Sequence, residues 1–219
     1  NHLLVTVGDF QYDGFNTVEI YPQDTSNHFG KTILVNLNNG KSKIFSIGNR
    51  NPQGIVKHSN GFVYSTSHGP KGGDELNLIE KNKNYGWPFA VLGVNYNNTH
   101  FPSEEKPTFH IQSSKKLDAK KIFPFESTFT EPIHAWVPSI AVSDVIEVKN
   151  FSPLINGDLL IASMKLGDMY RVRLSNNGRH VVYAEHFTFN DRIRSVTQLE
   201  NGSIILLSKG SKKIYKINI

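Results

Sequence analysis

Residues 47–88 read IGNRNPQGIVKHSNGFVYSTSHGPKGGDELNLIEKNKNYGWP. A connecting loop needs glycine, asparagine and proline. It does not need an arginine, a glutamine, a histidine and the acidic pair Asp74 and Glu75 at close intervals. In RNPQG (residues 50–54) Pro52 fixes φ and Gly54 frees it, so the segment predicts a tightly set turn able to aim Arg50, Asn51 and Gln53. Farther along, Arg192 and Arg194 are spaced i, i+2, and on a strand both point to one face. Guanidinium groups suit planar carboxylates because they donate in a two-pronged fork. Taken without further context, the same pair reads as two arginines on an exposed face.

Composition narrows the chemistry. The 219-residue chain has no cysteine, which excludes disulfides, thiolate metal sites and cysteine nucleophiles. No run approaches the roughly 20 apolar residues of a membrane-spanning helix. The formal charge is +5, with scattered lysines whose longest cluster is KKLDAKK (residues 115–121). No nucleic-acid motif accompanies them, so a mildly basic surface is favoured over nucleic-acid binding. A small anionic ligand would also account for the balance, if the cations converge on one site. The first residue is Asn1 with no leader pattern before it, so the chain reads as processed, trimmed or cut from something longer.

The elements that must position these residues are short and β-type. HLLVTVGD (residues 2–9) is one strand, and residues 31–48 form a hairpin about an Asn-Asn-Gly turn. GFVYSTS is followed by ELNLIE; residues 157–174 form a second hairpin; residues 195–219 hold three strands with Asn-Gly and Lys-Gly turns. Three segments share one form, with a turn, a glycine, an apolar strand, small polar residues and another glycine: SNGFVYSTSHG, INGDLLIASMKLG and ENGSIILLSKG. Such a repeat supports an all-β fold of the β-propeller type over a sandwich or barrel. Residues 97–121 lack strand pattern and read as a long loop insertion in a single domain spanning residues 1–219.

RNPQG, HGPKGGDELNLI and NYGWP, in that order, resemble the soluble pyrroloquinoline-quinone (PQQ) sugar dehydrogenases, the glucose/sorbosone or aldose sugar dehydrogenase family. VTVGD, WVPSIAVSDV (residues 136–145), GDLLIASMKLG and RIRS (residues 192–195) follow the family's order as well. The resemblance implies a six-bladed propeller of which this chain covers roughly the C-terminal four blades. It implies PQQ and calcium as cofactors, an aldose sugar as substrate, an external electron acceptor and a periplasmic or secreted location. Missing blades leave strand edges open, and self-association through them is expected.

The resemblance also implies roles. Arg192, Arg194 and Lys165 reach the PQQ carboxylates, and Ser139 lines the pocket. Arg50 lies by the reactive carbonyl, where it opposes developing negative charge. Asn51 and Gln53 supply amide hydrogen bonds, and His68 packs beside the quinone edge. Gly69 and Pro70 offer carbonyls to a functional calcium, and Glu75 with the Tyr85 carbonyl holds a second, structural one. Asp9 orients the catalytic histidine, which is expected upstream of residue 1, since none of the nine histidines stands in the matching context. Ser195 stands where an aspartate is usual and Ser67 where an acidic or polar residue is usual, and losing the acid at 195 is expected to loosen the arginine pair. The alternative to the enzyme is a non-enzymatic propeller fragment that binds a ligand or protein partner through the same face.

Overall fold

The computed structural model describes residues 1–14, 16–17, 19–94, 96, 129–165 and 167–218. The expected 97–121 insertion lies outside the described residues. Among those described, the strands are β1 (His2–Val7), β2 (Lys31–Asn36), β3 (Ser42–Ile47), β4 (Asn51–Lys57), β5 (Val63–His68), β6 (Asp74–Leu78) and β7 (His134–Trp136). They continue with β8 (Val142–Glu147), β9 (Leu159–Ser163), β10 (Asp168–Leu174), β11 (Val181–Thr188), β12 (Ile193–Gln198), β13 (Ile204–Ser208) and β14 (Ile214–Ile217). One 3₁₀ turn, Tyr21–Gln23, is also present. Consecutive strands pair into four sheets, β1-β2-β3, β4-β5-β6-β7, β8-β9-β10-β11 and β12-β13-β14.

The three repeats each supply the second strand of a sheet, β5, β9 and β13. Their leading glycines Gly61, Gly157 and Gly202 have φ of 91°, 85° and 86°, a conformation that any side chain would strain. The repeat is therefore the signature of one recurring turn into a central strand. On β9 the residues Leu159, Leu160, Ile161 and Ala162 are all buried. Successive side chains point to opposite faces of a strand, so Leu159 and Ile161 join a core with Tyr64, Leu76 and Val145. Leu160 and Ala162 join another with Ile193, Val196 and Leu206. Each fully buried aliphatic side chain contributes about 1.5–3 kcal/mol. A strand covered on both faces reads as an unbroken apolar run.

RNPQG is not a turn. Residues from Asn51 onward form β4, and only Arg50 precedes it. Proline is compatible with the start of a strand, where its missing N–H costs least, and glycine in a strand marks a close backbone approach. Gly54 is such a position: a Cβ there would lie 2.6 Å from Val145 N and 2.9 Å from Asp144 Cα.

The chain packs as two compact units. Unit 1 comprises residues 1–52, 69–71 and 79–131; unit 2 comprises residues 53–68, 72–78 and 132–219.

Candidate functional site

In unit 1 the candidate residues gather around Trp87. Asp9 follows β1, and its backbone N–H donates to the Arg50 carbonyl at 2.8 Å. The indole Nε1 of Trp87 donates to Asp9 Oδ2 at 2.8 Å, and the Gln11 N–H approaches the other carboxylate oxygen at 3.3 Å. The Arg50 guanidinium lies over the Trp87 ring, 5.2 Å from its centroid, and its Nη1 donates to the Gly69 carbonyl at 2.8 Å. Burial pushes the Asp9 carboxyl above its ordinary range, and the donors from Gln11 and Trp87 and the charge of Arg50 only partly offset it. Trp87 is held from behind by Gln23, whose Nε2 donates to the Trp87 carbonyl at 2.7 Å and whose amide pairs with that of Asn84. Asn51 Oδ1 lies near Gly8, 3.7 Å from where a Cβ would stand. Pro70 and Tyr85 are buried, and the Tyr85 hydroxyl accepts from the Glu80 N–H.

In unit 2, Lys165 and Arg192 line one open cavity of about 590 Å³, together with Asn190, Asp191, Ser211 and Tyr215. Both cations are exposed, and neither side chain has an ion-pair or hydrogen-bond partner among the described residues. The Asp191 carboxylate shares the cavity and stays ionised, but it is committed to other donors rather than ion-paired to either cation. Hydrogen bonds from Ser208, Ser211 and Tyr215 hold it well below the usual carboxylate range, and the Arg192 N–H donates to it at 2.8 Å. Asp191 thus ties the start of β12 to the β13–β14 turn. Lys165 is set by its backbone N–H on the Ile140 carbonyl at 3.1 Å. Asp74 Oδ2 accepts from the N–H groups of Ile140, Ala141 and Val142 and fixes that segment. Ser139 precedes it, and its hydroxyl is buried with no hydrogen-bond partner among the described residues.

Arg192 and Arg194 do not share a regular strand face. Arg192 precedes β12, and the register of β12 on β13 shifts between Ile193 and Ser195, leaving Arg194 at a bulge. Arg194 Nη1 donates to Gln53 Oε1 at 2.9 Å. Ser195 is not left idle by the missing acid: its Oγ donates to Asp144 Oδ2 at 2.6 Å. His68 ends β5 and is half-buried. Glu75, paired across from Ser67, is pushed up to about 7 by burial, which outweighs the Asn77 amide that donates to it.

Three residues escaped the sequence reading. Trp87 lies inside NYGWP, Asp144 inside WVPSIAVSDV, and Asp191 directly before RIRS. The first two stand inside these motifs and the third borders one, and none had a role.

Four antiparallel sheets of consecutive strands define a β-propeller type, and comparison with known proteins makes it specific. The Glucose / Sorbosone dehydrogenase family model matches residues 1–216, and the chain belongs to that family. It is 25% identical over 234 residues to quinoprotein glucose dehydrogenase B of Acinetobacter calcoaceticus, covering 85% of this chain and 49% of that protein. A crystal structure of a glucose dehydrogenase superposes with a TM-score of 0.78 at 25% identity, over 100% of this chain and 61% of the other. The PQQ-bound aldose sugar dehydrogenase of Streptomyces coelicolor has the same fold, with a TM-score of 0.68 at 18% identity over 98% and 57% of the two chains. The chain therefore spans about half the length of the curated relative and roughly three-fifths of these structures. No helix among the described residues is long and apolar enough to cross a membrane.

Proposed function

We propose that this chain forms part of a PQQ-dependent aldose dehydrogenase, and that Lys165, Arg192 and Arg194 with Ser139 bind the carboxylates of the quinone. The observation that carries this is the pair Lys165 and Arg192, both uncommitted on one cavity. The buried, partnerless Ser139 hydroxyl supports it, since it suits a ligand oxygen. When bound, PQQ supplies the two-electron acceptor for oxidation of a sugar C1 hydroxyl to the lactone, and an external acceptor reoxidises it.

The protein's own residues prepare that step. Trp87 and Gly69 hold the Arg50 guanidinium in one orientation, fit to oppose negative charge on an acceptor oxygen. Asp9 offers its carboxylate to an imidazole N–H, and a cation there brings its pKa back down. Gln53 steadies Arg194, while Asn51 and His68 supply polar edges. The calcium reading rests on different grounds. The Gly69 carbonyl already accepts from Arg50, so an ion there would share the oxygen with a positive group. Among the described residues no cluster of three His, Asp or Glu could hold a metal. Glu75 with the Tyr85 carbonyl, and Gly69 with Pro70, remain the proposed ligands. Glu75→Ala should abolish any calcium-dependent rise in melting temperature, and an unchanged calcium response would remove Glu75 from the set.

A periplasmic or secreted location and self-association through sheet edges belong to the same proposal; sedimentation velocity tests the second. The decisive experiment is PQQ binding by quenching of tryptophan fluorescence. Lys165→Gln and Arg192→Gln should each weaken binding about tenfold, the worth of one charge-assisted contact. Unchanged affinity in both variants would refute the site. Binding of another ligand in place of PQQ would favour a ligand-binding propeller.

A further inference from the structure

Two β-bulges face each other in unit 2. On β8 the residues Val142 and Asp144 pair with the adjacent Ser163 and Ala162, so Ser143 is extra. On β12 the residues Ile193 and Ser195 pair with the adjacent Ser208 and Leu207, so Arg194 is extra. A bulge leaves ladder groups without strand partners. Here side chains of β8 supply them. Ser143 Oγ donates to the Ile193 carbonyl at 2.7 Å. Asp144 Oδ2 accepts from Ser195 Oγ at 2.6 Å and from the Val196 N–H at 3.0 Å. Its other oxygen accepts from the Val145 N–H at 2.9 Å. The carboxylate therefore spans the β12 bulge and binds backbone and hydroxyl, not the guanidinium.

β4 completes the arrangement. Gly54 lies against the Asp144 and Val145 backbone, closer than any side chain permits, and Ser65 Oγ holds its carbonyl at 2.7 Å. That approach brings Gln53 to Arg194. An aspartate at 195 would bring a second carboxylate against that of Asp144, since Ser195 Oγ lies 2.6 Å from Asp144 Oδ2. Ser195 with Asp144 fixes the strand instead and leaves the remaining Arg194 N–H groups without a partner among the described residues.

We infer that Ser143 and Asp144 are positioning residues for Arg194, holding the bulge that presents its guanidinium uncommitted to an anionic ligand. This rests on the PQQ reading above for the ligand, but not for the positioning. The test uses the whole chain with ¹⁵N-labelled arginine and follows the side-chain Nε–Hε signals of Arg192 and Arg194 without ligand. Asp144→Asn and the milder Ser195→Ala, which keeps the Val196 contact, should each shift the Arg194 signal and leave that of Arg192 in place. PQQ affinity, read by fluorescence quenching, should fall about tenfold on Asp144→Asn, and less than twofold when the same change is made in Arg194→Gln. An equal loss in both backgrounds would mean general damage to the sheets and would overturn the inference. So would an unmoved Arg194 signal. If the unaltered chain binds no PQQ, the quinone reading falls, and the Arg194 signal alone decides the positioning.

Discussion

Lys31 is completely buried at the start of β2. Its Nζ donates to the carbonyls of Tyr21 and Phe29 at 2.5 and 2.7 Å. A neutral amine has two N–H groups, which these two carbonyls saturate. Burial lowers the Lys31 pKa from 10.5 to about 7, with Asp24 opposing the shift. The consequence for stability has a definite sign. Between about 7 and 10.5 the unfolded chain holds the proton and the folded chain has released it, so stability rises with pH through that window. Below about 7 both states are protonated and the slope vanishes. Linkage with these two pKa values gives a gain of about 3 kcal/mol between pH 7 and pH 9.5. The assay is urea denaturation of the native chain and of Lys31→Met at pH 6, 7, 8 and 9.5, with the difference between the two isolating this one group. Lys31→Met leaves two carbonyls without their donor and should be less stable at pH 9.5 by about 2 kcal/mol. Its deficit should shrink or reverse at pH 7. Parallel curves would show that the two carbonyls keep the ammonium charged throughout, and that burial is not the dominant influence on this lysine.

Gly54→Ala places a methyl group against backbone atoms of Asp144 and Val145 that cannot move aside; it should cost about 1–3 kcal/mol, and a loss under about 0.5 kcal/mol in denaturant midpoint would refute the close approach. Trp87→Phe removes the indole donor from Asp9, so the Asp9 carboxyl should titrate still higher by carbon-13 NMR; a fall would mean that the indole opposes the charged form. Because burial already raises the Asp9 pKa above 3.8, the folded state keeps that proton longer, and stability contributed at Asp9 falls as pH rises from about 3.8 through the folded value. Asp9→Asn should flatten that fall, and an unaltered acid-side profile would contradict it.

What the sequence discloses depends on how far apart the cooperating residues stand. The glycines of the three repeats are legible because a φ near +90° excludes other residues, and that demand is local. The buried run on β9 is legible because both faces of one strand are covered. RNPQG is misleading for the same local reason: proline and glycine mark a turn and also a strand start with a close neighbour, and the neighbour, Asp144, is 90 residues downstream. β11 carries mostly exposed residues, with no apolar alternation to announce it.

The site divides along the same line. Lys165, Arg192 and Arg194 are visible as residue types in matching motifs, but the bulge at Arg194 is not, since it exists only in the register between β12 and β13. The serine at 195 looked like a lost acid. It is the donor to an acid on another sheet, 51 residues away. An acid on another strand can position an arginine by fixing the bulge that carries it, without touching the guanidinium. The absence of an acid from the adjacent position therefore says little about whether the arginine is held. The competence of the cationic cavity turns on whether Asp191, the carboxylate that lines it, pairs with either cation. Its oxygens accept from Ser211 and Tyr215, and among the described residues neither Lys165 nor Arg192 has an ion-pair partner, so their donors stay available to a ligand while the aspartate keeps its charge.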